Sequence, residues 1–326
     1  MSEELRELDS CSGSGFAAEK KKILVLGGSG YIGRHLCAVL SDKNLEVITC
    51  SRAQRKCSLL NENVRHFSFP LQDTSKLVNL INAELPDIVI HLASVLVPSS
   101  GLDEFKKEIE AITTPTLDLI SFLSSKCIKF VYFSSGGAVY GQSELATIDE
   151  EVPRMPESLY GQNKLFLENL IELLGRRKGL DYLIIRPSNP YGGSQSFHGN
   201  QGLIGKIFGA AIINEPLKIW DGGKAVRDYI YIDDLCSAAL HLISKDFSGI
   251  FNIGSGQGYS ILEILTLVEE TFGHPIPYEI LNSSEASIPR NVLNIQKILT
   301  AGAPEPRAIE QGLSDYRNMI RSRRAG

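Results

Sequence analysis

Residues 23–33 constrain this chain more than any other stretch. Ile23–Leu26, apolar and partly β-branched, runs without a spacer into Gly27-Gly28-Ser29-Gly30-Tyr31-Ile32-Gly33. Glycines at 27, 30 and 33 permit a tight strand-to-helix turn, let backbone N–H groups approach a pyrophosphate, and clear the side chain where helix meets strand. The same grammar repeats downstream. Strands are expected at Val47–Thr49, His66–Phe69, Ile88–His91, Phe130–Phe133 and Tyr182–Ile185, bounded by Gly, Pro, Asp or Ser. Helices are expected at about Tyr31–Ser41, Thr74–Ala83, Glu104–Leu123 and Leu159–Leu174, each long enough to be the crossover that parallel neighbours require.

The pattern predicts an α/β fold, a Rossmann-type doubly wound parallel sheet with a smaller C-terminal substrate-binding lobe. After Arg186 the texture turns to loops rich in Gly, Ser, Asn and Pro, while a strand at Ile250–Ile253 and a helix at Ile261–Phe272 suggest that the chain crosses between lobes more than once. The expected division is a disordered tail at 1–20, a dinucleotide-binding lobe at 21–186 rejoined by 225–255, and a substrate lobe at 187–224 and 256–326. With 43% apolar residues, the 326-residue chain can bury a large core. Its 33 basic and 38 acidic residues are intermingled, which argues against nucleic acid or an anionic membrane as partner. The six cysteines include no CxxC pair and the six histidines show no ligand spacing. No metal is implied, and a reduced, cytoplasmic setting is expected. No apolar run approaches the roughly 20 residues that span a bilayer.

The second strand of a dinucleotide fold ordinarily ends in an acid that binds the adenosine ribose of NAD. Here it ends Thr49-Cys50-Ser51-Arg52, with Arg55 and Lys56 close by. A hydroxyl followed by a cation suits a 2′-phosphate, so the cofactor reading leans to NADP over NAD. Farther on, Tyr160 and Lys164 form YxxxK on an expected helix, which sets phenol and ammonium one turn apart on one face. A tyrosine that exchanges a proton near neutrality needs positive charge beside its phenolate.

With its GGSGYIG, VIHLAS, SSGGAVYG, YGQNK, RPSNPYG, WDGGKAVRDYIYIDDL and FNIGSG segments in this order, the chain resembles the extended short-chain dehydrogenases that act on nucleotide sugars. The UDP-glucose 4-epimerase branch is nearest. The resemblance implies that Tyr160 removes the proton from a sugar 4-hydroxyl while hydride leaves C4, that Lys164 lowers the Tyr160 pKa, and that a hydroxyl after the fifth strand shares the sugar oxygen. The family's Ser or Thr falls at Gly136 here, so the hydroxyl is assigned to Ser135. Gly137 and Ala138 stand where the dehydratases of the family carry acidic or polar groups, which argues against dehydration.

The cofactor would be lined by Gly27, Gly30, Tyr31, Ile32, Gly33, Ser51, Arg52, Leu71, Leu92, Ala93, Ser94, Ser134, Tyr160, Lys164, Pro187 and Ser188. Asn189 and Arg227 would hold the nucleotide-diphosphate sugar together with Ser135, although Arg227 could pair instead with Asp228 or Asp233. Ser284 and Ser287 fall where the family carries an Arg and an Asp, and Arg290 is the candidate replacement cation. Trp220 reads as lobe packing, and His91 as a strand residue near the cofactor. The helices at 104–123 and 159–174 would pair with their copies in a homodimer. The expected activity is 4-epimerisation of a UDP-hexose. The alternative is an NADPH-dependent 4-ketoreductase, and a cofactor-sensing regulator is the non-enzymatic reading.

Overall fold

A computed structural model describes residues 20–43, 45–52, 64–197, 202–281 and 288–325. The first part of the chain forms β1 Lys22–Leu26, α1 Tyr31–Asp42, β2 Glu46–Ser51, β3 Arg65–Ser68, α2 Thr74–Glu84, β4 Ile88–His91, α3 Leu102–Glu108, a π-helical turn at Ile109–Thr113, α4 Thr114–Leu123, β5 Lys129–Phe133, α5 Gly136–Val139, α6 Leu159–Lys178 and β6 Tyr182–Pro187. The remainder forms β7 Asn189–Tyr191, α7 Leu203–Ile213, β8 Leu217–Trp220, β9 Val226–Tyr231, α8 Ile232–Ser244, β10 Gly249–Ile253, β11 Gly258–Ser260, α9 Ile261–Phe272, β12 Tyr278–Leu281, β13 Arg290–Asn291, α10 Gln296–Thr300 and α11 Ile309–Ala325.

Seven of these strands make the main sheet in the order β10-β6-β5-β4-β1-β2-β3, with every pairing parallel. Alternate side chains enter different cores. Ile23 and Val25 of β1 join one buried cluster with Leu36 and Leu40 of α1, while Leu24 and Leu26 join a second with Leu77 of α2 and Leu167 of α6. That alternation is what helices on both faces of a parallel sheet demand. The strand order reverses between β1 and β4, and the crevice at such a switch point, beyond the carboxyl ends of the strands, is where α/β sheets bind ligands.

A second sheet has β9 at its centre, paired antiparallel with β11 and parallel with β13 and β7. Within the returning segment at 225–255, β9 thus belongs to the second sheet, whereas β10 completes the main one. The helix expected over 104–123 is interrupted by the π turn, in which an extra residue widens the coil. Among the described residues no helix is long and apolar enough to cross a membrane. The tail at 1–19 lies outside the described residues.

Candidate active site

The glycine loop caps the switch point. Gly27 holds φ +86°, and a Cβ there would lie 2.9 Å from the Ala93 nitrogen and 3.2 Å from the Leu92 carbonyl carbon. Only glycine fits the turn that brings the end of β1 against the loop after β4. Gly33 admits no Cβ either, because the Gly27 oxygen and the Gly28 Cα occupy that space. Gly30 is the N-cap of α1 and offers no side-chain cap, so the first N–H groups of the helix are left to an anion. The Tyr31 hydroxyl turns away and donates to the Gly192 oxygen at 2.9 Å.

Three further cofactor candidates carry buried hydroxyls without a hydrogen-bond partner among the described residues: Ser51 at the end of β2, Ser134 after β5 and Ser188 after β6. A buried orphan hydroxyl is costly unless something binds it, and all three sit at the carboxyl edge of the sheet. With the open helix N-terminus, they fit a dinucleotide stretched across the switch point. Arg52 is exposed beside Ser51, and Leu71 is buried in the second core. Arg55 and Lys56 lie outside the described residues. The Ser94 hydroxyl is spent elsewhere, donating to the Glu108 carboxylate at 3.0 Å.

Helix α6 starts at Ser158, whose side chain accepts from the Gly161 N–H at 3.1 Å, and this cap sets Tyr160 and Lys164 on the first inward turn. Lys164 is buried and donates to the Phe133 oxygen at 2.9 Å, with its ammonium 4.9 Å from the Tyr132 ring centre and 5.7 Å from that of Tyr160. Burial pulls its pKa down to about 8, against the fields of Glu108 and Glu168. The Tyr160 hydroxyl is hydrogen-bonded to Ser135. Ser135 and the Tyr–Lys pair therefore meet as the sequence suggested.

Burial pushes the Tyr160 pKa up to about 12, the Ser135 hydrogen bond draws it down and Glu108 raises it further. The absence of a hydroxyl at 136 also acquires a cause. A Cβ on Gly136 would lie 2.6 Å from Leu293 Cδ1 and 3.1 Å from the Arg186 oxygen.

Sequence reasoning missed the scaffold behind the pair. Glu168, two turns beyond Tyr160, forms a fully buried bidentate ion pair with Arg186 of β6 at 3.1 and 2.7 Å. Arg186 also donates to the Tyr140 hydroxyl at 2.7 Å, and that hydroxyl donates to Asn252 of β10 at 2.7 Å. The signal was the Tyr160, Lys164, Glu168 spacing of four, which gives α6 one polar inward edge. A second missed group is Asp228, fully buried, which accepts from the Ser255 N–H at 2.8 Å and hydroxyl at 2.9 Å and from the Gly256 N–H at 3.1 Å. It fastens β9 to the loop after β10.

Asn189 donates to the Asp228 oxygen at 2.8 Å, and its own oxygen lies 3.8 Å from where a Gly137 Cβ would be. It thus borders the same opening as Ser135. Arg227 pairs with neither candidate acid: it donates to the Val226 oxygen at 2.9 Å, Asp228 is taken as described, and Asp233 lies 3.5 Å from His35. Its pKa is lowered by burial, the mark of a guanidinium short of anionic company. In the register of β9 and β13, Arg227 is opposite Asn291, whose amide donates to the Gly136 oxygen at 3.2 Å. Arg290 is opposite Val226, hence on the other face, and donates to the Ala146 oxygen at 3.0 Å. The structure does not bring the two arginines together.

Pro187 ends β6 opposite Ile253, and the N–H of Ser188 just after it donates to the Ile253 oxygen at 2.8 Å. Trp220 is 53% exposed on β8, so it is a surface residue and not lobe packing. His91 is buried, holds Thr116 at 2.9 Å, and has its pKa driven down to about 3 by burial and by Lys164, which keeps it neutral. Ser284, Ser287 and His198 lie outside the described residues.

The model of a family described as NAD dependent epimerase/dehydratase matches residues 23–254. A UDP-glucose 4-epimerase of Halalkalibacterium halodurans is 29% identical over 79% of this chain and 82% of its own length. A dTDP-4-dehydro-6-deoxyglucose reductase of Escherichia coli is also 29% identical, over 77% of this chain and 82% of its own. Among solved structures, the UDP-glucose 4-epimerase of Thermus thermophilus in complex with NAD superposes with a TM-score of 0.85 at 26% identity, covering 92% of this chain and 99% of that one.

Proposed function

We propose, from the premise that the chain belongs to the NAD-dependent epimerase/dehydratase family, that it interconverts the C4 epimers of a UDP-hexose, glucose/galactose or their N-acetyl forms, through a transient 4-keto sugar. The observation that carries this reading is the Ser135–Tyr160 hydrogen bond with Lys164 one turn on, at the carboxyl edge of the sheet. When bound, the dinucleotide supplies a reversible store for the hydride of C4. Tyr160 takes the proton of the 4-hydroxyl and later returns it, Ser135 orients the sugar oxygen, and the Lys164 ammonium supplies positive charge to the buried pair. Asn189 and Arg227 hold the sugar and its diphosphate, for which the fork of Arg227, paired with neither Asp228 nor Asp233, is suited. Returning hydride to the opposite face requires the ketone to turn over. Gly137 borders that space, where a Cβ would meet the Asn189 side chain at 3.8 Å and the Ser135 hydroxyl at 4.0 Å.

A 4-ketoreductase is the second reading, favoured by one observation: β2 ends in a hydroxyl and an exposed cation, the chemistry of a 2′-phosphate site. For that reason NADP is the proposed cofactor where the Thermus thermophilus structure was solved with NAD. Residues 21–186, rejoined through α8 and β10, would carry the dinucleotide, and the segments 187–224 and 256–326 the nucleotide sugar. A cytoplasmic homodimer completes the proposal. The test is incubation of the purified protein with UDP-galactose, and separately with UDP-N-acetylglucosamine, with no cofactor added. Appearance of the C4 epimer is expected; turnover only with added NADPH and a 4-keto sugar overturns epimerisation in favour of reduction. Ser51→Asp should shift the dinucleotide released on denaturation from NADP to NAD.

A further inference from the structure

Glu108 closes α3 at the point where the helix widens into the π turn, and it is only 1% exposed. Its carboxylate accepts from the Ser94 hydroxyl at 3.0 Å, the Val95 N–H at 2.7 Å and the Asn163 amide at 3.5 Å. Asn163 directly precedes Lys164 and is braced from its other side by the Thr113 hydroxyl at 3.0 Å, Thr113 being the last residue of the π turn. The carboxylate therefore ties the loop after β4 to the first inward turn of the catalytic helix. All three of these donors are neutral, so the field of a buried anion reaches past them.

Lys164 is faced by Glu108 from α3, by Glu168 and Tyr160 from its own helix, by Tyr132 from β5 and by His91 from β4. His91 is neutral, and burial keeps both tyrosines protonated. Glu168 is engaged bidentately by Arg186. Glu108 is the acid in this group whose charge no described guanidinium offsets.

We propose that Glu108 is a positioning residue for the C4 chemistry: its charge holds the Lys164 ammonium protonated at working pH, and its hydrogen bonds lock the loop after β4 to the catalytic helix. This rests on the reading of the site as an epimerase. Burial already brings Lys164 to about 8, and Glu108 is the foremost group opposing that fall. The same charge raises Tyr160. Removing it lowers both values, so both limbs of the pH profile move toward acid.

The experiment uses the full-length holoenzyme. Glu108→Gln removes the charge and keeps one acceptor oxygen, for the Val95 N–H, while its amide nitrogen replaces the oxygen that meets Ser94 and Asn163; Glu108→Asp keeps the charge one methylene farther away. The pH profile of kcat for UDP-hexose epimerisation should shift acidward by about one unit in Glu108→Gln and by a few tenths in Glu108→Asp. A second readout needs no sugar: the carbon-13 shift of the Lys164 Cε, assigned by its loss in Lys164→Met, should titrate at a midpoint lowered by the same amount. A Glu108→Gln profile reduced in height with unmoved limbs and an unmoved Lys164 midpoint overturns the proposal and leaves Glu108 a structural brace. Should Glu108→Gln fail to fold, unmoved limbs in Glu108→Asp overturn it equally. A shifted midpoint in a protein that turns over no UDP-hexose upholds the coupling and refutes the epimerase reading alone.

Discussion

A serine at position 136 would place its Cβ 2.6 Å from Leu293 Cδ1 and 2.9 Å from Cδ2, so the hydroxyl of this site depends on a residue more than 150 positions away. Gly136→Ser is expected to cost about 1–3 kcal/mol through overpacking. Adding Leu293→Val removes the offending methyls, and the pair should couple by roughly 1 kcal/mol or more, read as the non-additive part of a urea-denaturation double-mutant cycle. An additive result would show that the loop moves aside without strain. Lys164 carries a pH signature of its own. Its ordinary value of 10.5 falls to about 8 on folding, so between those values the folded state binds fewer protons than the unfolded. Stability then rises with pH across that window, and the cost of burying the ammonium is fully present below about pH 8. Lys164→Met lacks this dependence. The stability of the parent relative to Lys164→Met is therefore expected to climb by about 2–3 kcal/mol from pH 7 to pH 10, measured by chemical denaturation.

Helix α6 delivers Tyr160 and Lys164, and the Glu168–Arg186 ion pair fixes where it delivers them. Breaking a buried pair strands a charge, so Arg186→Met should destabilise by about 3 kcal/mol or more and lower the thermal midpoint, even though Arg154 remains 3.2 Å from Glu168. An unchanged midpoint would mean that Arg154 suffices. This element also marks the boundary of what the sequence disclosed. The strands of the main sheet were legible because apolar runs between turn residues are local patterns, and Tyr160 with Lys164 was legible because a spacing of four is local too. Asp228 and Glu108 were hidden because their partners, Ser255 and Asn163, lie 27 and 55 residues away and come together only in the folded chain. The π turn escaped because its residues, Ile109–Thr113, carry no Gly or Pro to mark a break in the helix expected over 104–123. Arg227 and Arg290 looked equivalent as cations, and only the register of β13 against β9 sends them to opposite faces.

One buried cluster spans the main sheet and the helices α7 and α11: Ile23 and Leu36 sit in it with Phe208, Leu313 and Tyr316. The opposite face of the molecule is less complete. On α6, Phe166 is 50% and Leu173 39% exposed, seven residues apart on one stripe with half-buried Leu170 between them, and half-buried Phe122 lies on the neighbouring α4. Neighbouring helices that leave an apolar stripe open are what an isologous dimer pairs into a four-helix bundle. Phe166→Glu and Leu173→Glu would each place a charge on that stripe, remote from the inward edge that carries Tyr160 and Lys164. Sedimentation should then change from dimer to monomer while dinucleotide binding persists, because the Glu168–Arg186 pair anchors α6 from within. A parent protein that sediments as a monomer, or a Phe166→Glu protein that remains dimeric, would move the proposed interface off this face.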